Sequence, residues 1–119
     1  MGNKLYNLNK LDEIAQGDQE FIQEMLVTFV ENVTTEVGNI QSFRSMKNWT
    51  AVAEAAHKLA SNFAYMGANG LHTLAANIER SVLKDHNLTG IEEKTDKMCI
   101  NGTLLVEQLR NDFNIIKVS

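Results

Sequence analysis

Apolar residues recur every three or four positions through most of this chain, the spacing that gathers side chains on one face of an α-helix. A short first stripe runs through Leu8, Leu11 and Ile14-Ala15, and Gly17 is expected to close that helix as its C-cap. Asp18 then stands at an N-cap position before Phe21-Ile22, Met25-Leu26, Phe29-Val30, Val33, Val37, Ile40 and Phe43. Asp18 and Glu20 also suit the positive N-terminal end of a helix dipole. Gly38 lies inside this run; at about 1 kcal/mol relative to Ala it does not have to interrupt the helix. Ser45 to Lys47 reads as a turn.

The stretch from Asn48 to Arg80 reads as two helices meeting at a tight corner, Met66-Gly67-Ala68. Val52, Ala56, Leu59 and Phe63 make the stripe of the first; Leu71, Leu74, Ala75, Ile78 and Val82 make that of the second. Asn48 is the expected cap, Trp49 the anchor of the first turn and Gly67 the stop. Asn69-Gly70 is a hairpin-type dipeptide, but its flanks keep a helical period, which argues against a hairpin. After a polar connection at Asp85-His86-Asn87, Thr89 with Glu92 is expected to form a capping box. The last helix would then turn Ile91, Met98, Leu105, Leu109 and Phe113 inward, with Thr95 and Gly102 as thin spots. These elements predict an all-α fold: an up-down-up-down four-helix bundle, with the short extra N-terminal helix covering one end. Residues 1–119 are expected to form one domain, with 1–7 loosely ordered.

Composition narrows the picture. At 119 residues and 44% apolar content the chain is sized for one core, and the absence of proline removes the strongest helix breaker. A net charge of −4 and a pI near 5.3, without a Lys/Arg cluster, argue against a nucleic-acid surface. Cys99 is the single cysteine and has no intrachain partner, which leads to the expectation of a reducing, cytoplasmic setting. No apolar run approaches the ~20 residues of a membrane span, so no direct membrane contact is expected; a membrane would belong to a larger parent chain. His72, His86 and Cys99 fall on different elements without the tight spacing of a zinc site. Met25, Met66 and Met98 read as core filler, Met66 also as a candidate for a docking surface beside the corner. No phosphate-cradling glycine loop or kinase motif is present, so no ATP-dependent kinase activity is expected of the chain itself.

His57 is the residue with chemistry. At ~100° per residue it lies roughly 120° round from the centre of its helix's stripe, on a flank shared with Thr50, Ala53, Ala60, Ser61 and Ala64. Those small neighbours predict an imidazole standing clear of a nearly flat surface, reachable by another protein. Position alone favours an ordinary surface histidine; the surrounding motif reverses that balance. The run Asn48-Trp49-x-x-Val52-x-x-x-Ala56-His57-x-Leu59, then Gly67-Ala68-x-x-Leu71-x-x-Leu74-x-x-x-Ile78-Glu79, resembles a histidine-containing phosphotransfer (HPt) domain. The glycine falls ten residues after the histidine, as it does in the family. The chain departs from the family at Ala60-Ser61-Asn62, where Lys-Gly-Ser is usual.

The resemblance implies that His57 takes a phosphoryl group from an aspartyl phosphate on a response-regulator receiver domain and passes it to another receiver. Imidazole suits that work, because its phosphoramidate is reactive enough to hand the group on. No cofactor is implied on this chain; Mg²⁺ is expected on the receiver. The family pattern puts an acidic or amide residue at Glu79, where accepting the Nδ1–H of His57 would leave Nε2 to attack. The alternative for Glu79 is an ordinary surface carboxylate paired with a cation. Ala60 removes a cation one turn from His57. Lys58 points ~100° away and is expected to be solvated. Ser61 is expected to bond either a phosphate or the carbonyl of His57, and Asn62 to face outward. The expected partner contacts are Leu11, Ala53, Lys58, Ala60, Ser61 and Ala64. A monomer is expected, either free-standing or as the terminal module of a hybrid sensor kinase. Two alternatives stay open: a degenerate HPt-like module that binds a receiver without carrying phosphate, and a bundle that only self-associates.

Overall fold

The computed structural model describes residues 4–115. Among them the chain forms five helices and no strand: α1 (Asn9–Ala15), α2 (Gln19–Ser45), α3 (Trp49–Tyr65), α4 (Asn69–Leu83) and α5 (Ile91–Phe113). Around the core α2 packs on α3, α3 on α4, α4 on α5 and α5 back on α2, while α1 rests against α2. The apolar stripes read from the sequence are the faces that meet. Leu26, Val33, Ile40, Val52, Leu59, Phe63, Ile78, Met98, Leu105 and Leu109 are all fully buried. Burying each such large side chain stabilises the fold by about 1.5–3 kcal/mol before conformational entropy is counted.

Side-chain capping marks where α2 and α3 begin. The Asp18 carboxylate accepts from the Phe21 N–H at 3.1 Å, and the Asn48 side-chain oxygen from the Ala51 N–H at 3.2 Å. Gly38 stays within α2, as expected, on its exposed face. Arg44, near the end of α2, grips both carboxylate oxygens of Asp96 at 3.0 Å and lies 3.3 Å from Glu92, tying α2 to the first turns of α5.

Two boundary expectations are corrected. The C-cap of α1 is Gln16, in the left-handed conformation at φ 51°, with Gly17 continuing left-handed at φ 83°. The capping box at Thr89 does not form: α5 begins one residue later, with Gly90 as its cap at φ 69° and no side-chain cap bond. The Thr89 N–H is instead taken by the Asn87 side chain at 3.0 Å, an Asx turn that occupies the backbone ahead of the helix.

Residues 4–7, expected to be loosely ordered, make specific bonds across the chain. Lys4 Nζ and the Tyr6 hydroxyl both donate to Asp112, at 2.7 and 2.5 Å, and the Leu5 N–H donates to the Gln108 side chain at 2.8 Å. The Asn7 N–H donates to the Met66 carbonyl at 2.8 Å, which brings the segment onto the corner between α3 and α4. That approach requires Gly67: it sits at φ 63°, and a Cβ there would strike the Asn7 carbonyl oxygen.

Candidate functional site

The site is built on the paired helices α3 and α4. Val52, Ala56, Leu59 and Phe63 fix the roll of α3; Leu71, Ala75, Ile78 and Val82 fix that of α4. With those faces inward, His57 stands out from α3 with 69% of its side chain exposed. Glu79 follows the buried Ile78 and reaches across from α4, its Oε2 2.7 Å from His57 Nδ1. Further along, His72 of α4 has its Nδ1 3.0 Å from the Ala60 carbonyl of α3. Positions increase along α3 as they decrease along α4, so the two helices run antiparallel away from the Met66-Gly67-Ala68 corner.

The arrangement assigns separate roles to the two nitrogens of His57. Nδ1–H donates to a carboxylate, which selects one tautomer and holds the ring at a set angle; Nε2 keeps its lone pair and faces solvent.

The surroundings follow the expected pattern in part. Thr50 and Ser61 are exposed, while Ala60 and Ala64 are half-buried, so small groups do border the imidazole. Lys58 is exposed, with its Nζ 4.0 Å from Glu36 Oε2 on the α2 side, away from the His57–Glu79 pair. Asn62 does not simply face outward: it is half-buried and its Nδ2 donates to the Lys58 carbonyl at 3.3 Å.

Three expected surface residues lie inside. Ala53 is 0% exposed, because α3 packs against both α2 and α4 and buries a wider arc than the stripe alone implies. Leu11, at 1%, lies with Ala15 on the inner face of α1. Met66 is fully buried at the corner. Burial removes Leu11 and Ala53 from the candidate contact set and Met66 from any docking role.

Ile14 is exposed on the outer side of α1, and Tyr65 is 40% exposed at the end of α3. The Tyr65 ring stacks on Phe29, with centroids 5.9 Å apart, and carries Lys10 Nζ 5.2 Å from its own centroid. Spacing gave a signal for Tyr65, eight positions after His57, but none for the approach of α1. In the sequence His72 stood out only as one of three residues that make no zinc pattern. Among the described residues, no three His, Cys, Asp or Glu side chains gather as a metal site, and no helix is long and apolar enough to cross a membrane.

Among the described residues the fold is all helical, and α3 presents an exposed imidazole oriented by a carboxylate of α4. The family model of the Hpt domain matches residues 24–114, about three quarters of the chain, and the protein belongs to that family. The matched span contains α3, α4 and both His57 and Glu79. Membership implies a part in two-component phosphotransfer signalling. No curated protein and no solved structure matches the chain.

Proposed function

We propose that the chain is a phosphocarrier that accepts a phosphoryl group on Nε2 of His57 from a receiver-domain aspartate and returns it to the aspartate of another receiver. One observation carries this reading: an exposed imidazole whose Nδ1 is held 2.7 Å from a carboxylate, leaving Nε2 open to a partner. In the transfer the bond between phosphorus and the aspartyl oxygen breaks as the bond to Nε2 forms. The carboxylate leaves with its electron pair, and the Nδ1 proton stays on the ring against Glu79. Glu79 therefore acts as an orienting group, and its charge stabilises the cationic character of the phosphorylated ring.

Charge on the phosphoryl group itself has to be met by the partner, whose Mg²⁺ lies outside this chain. Ala60 offers no cation, and Lys58 leans toward Glu36. On this reading the helices form an up-down-up-down bundle with α1 at one end, the chain acts as a monomer, and it uses no ATP and no cofactor of its own. It works in the cytoplasm, alone or joined to a hybrid sensor kinase. Partners dock across His57, Ser61, Ala64 and Tyr65 toward Ile14, an interface kept small because a relay must release each partner.

The same lack of a cation at Ala60 supports a second reading, a module that binds a receiver without taking phosphate. Mixing the chain with a phosphorylated receiver separates the two. Acid-labile phosphate appearing on the wild type and missing from His57→Gln supports the carrier. Receiver binding with no phosphate on either chain supports the second reading.

A further inference from the structure

We infer that His72 is a specificity-determining contact for the receiver, acting through docking and not through the phosphoryl chemistry; this rests on the carrier reading of His57. His72 lies seven residues before Glu79 on α4, two helical turns along the same face, or about 10 Å. Both side chains cross from α4 to α3 on the exposed side of the pair, one reaching His57 and the other the Ala60 carbonyl. On α4 the exposed Ala76 lies between them, and on α3 the half-buried Ala60 supplies the carbonyl that His72 reaches.

A partner that reaches Nε2 of His57 covers a patch of surface. A weak, transient complex buries up to about 600 Å² on each side, equivalent to a disc roughly 14 Å in radius. His72 therefore falls under the same partner, too distant to touch the transferring phosphoryl group but well inside the footprint.

The fixed ring makes this contact selective. With Nδ1–H donated to the Ala60 carbonyl, the neutral imidazole presents Nε2 as an acceptor to whatever covers it. A receiver with an N–H or O–H donor opposite this point gains a hydrogen bond. One without it leaves a covered acceptor unpaired, which weakens binding. His72 thus selects receivers by a feature remote from their phosphorylated aspartate, which is how a relay with similar reactive sites can still tell partners apart.

The probe is a receiver domain that loads His57 of the wild-type chain, used phosphorylated for transfer kinetics and unphosphorylated for equilibrium binding. His72→Ala, and His72→Phe, which keeps a ring but has no acceptor, should each raise KM and Kd about three- to tenfold with kcat within twofold. His72→Gln, whose amide reaches the Nε2 position, should recover most of that loss. If Ala and Phe both leave KM and Kd within twofold of wild type, the inference is overturned, and His72 is only a brace between two helices. The carrier reading fails separately, if His57→Gln still takes phosphate in the same assay.

Discussion

Gly67→Ala tests the corner that sets α3 against α4, and with it the meeting of His57 and Glu79. Two costs are visible. Gly67 holds φ 63°, and a residue with a Cβ in the left-handed region is disfavoured by about 1–2 kcal/mol. The new Cβ would also run into the Asn7 carbonyl oxygen, a backbone atom that cannot rotate aside as a side chain would. Residues 4–7 must then lift from the corner, giving up the Asn7 N–H to Met66 carbonyl bond, a net loss of about 0.5–1.5 kcal/mol. Together these come to about 1.5–3.5 kcal/mol. For a chain of this size, at about 4 °C per kcal/mol, that corresponds to a fall of roughly 6–14 °C in Tm.

Thermal and urea melts followed by circular dichroism read the total. Repeating the substitution in a chain lacking residues 1–7 isolates the parts, since only the backbone term of about 1–2 kcal/mol should remain there. A full-length variant within 0.5 kcal/mol of wild type, or an equal loss with and without the first seven residues, would refute the packing of this segment on Gly67.

Other outcomes follow from single contacts. Glu79→Gln keeps a hydrogen-bonding group beside His57 but removes its charge, and should slow phosphotransfer several-fold; Glu79→Ala should slow it further, and rates within twofold for both would deny Glu79 an orienting role. Asp112 is held below the usual carboxylate range, first by the Lys4 hydrogen bond and then by that of Tyr6. A carboxyl lowered in the fold contributes stability above its unfolded pKa and loses it as pH falls through the folded value. The gap in urea midpoint between wild type and Asp112→Asn should thus hold constant from about pH 5 to 8 and close below about pH 4; a gap independent of acid would contradict the clasp. Burial, with Asp96 adding to it, pushes the Cys99 thiol up to about 11. Native protein at pH 8 should react with a disulfide reagent orders of magnitude more slowly than in urea, and labelling at the unfolded rate would mean that Cys99 is not buried.

Much of the fold could be read from the chain because its helices declare themselves locally. The stripes of α2 to α5 keep their period, and Asp18, Asn48 and Gly67 mark their limits by chemistry that acts within a few residues. The start of α5 was misread because Thr89 and Glu92 satisfy the capping pattern, while Asn87 takes the Thr89 N–H first and Gly90 supplies the turn. The surface around His57 was only half legible. A stripe calculation treats α3 as having one buried side, but α3 has neighbours in both α2 and α4, so Ala53 disappears. For α1 the period identified Leu11 correctly as apolar, and the same period puts it inward with Ala15 and leaves Ile14 outside. The links from Lys10 to Tyr65, from His72 to Ala60, and from residues 4–7 to α5 and the corner join distant parts of the chain; no local pattern announces them.

The orientation of His57 is tested most directly by where phosphorus attaches. The chain should be loaded with phosphate from a phosphorylated receiver under Mg²⁺, and long-range ¹H–¹⁵N and ³¹P spectra recorded. A single phosphohistidine at His57, bonded through Nε2 with Nδ1 still protonated against Glu79, is the predicted result. Phosphate on Nδ1, or on another residue while His57 stays unmodified, would contradict it.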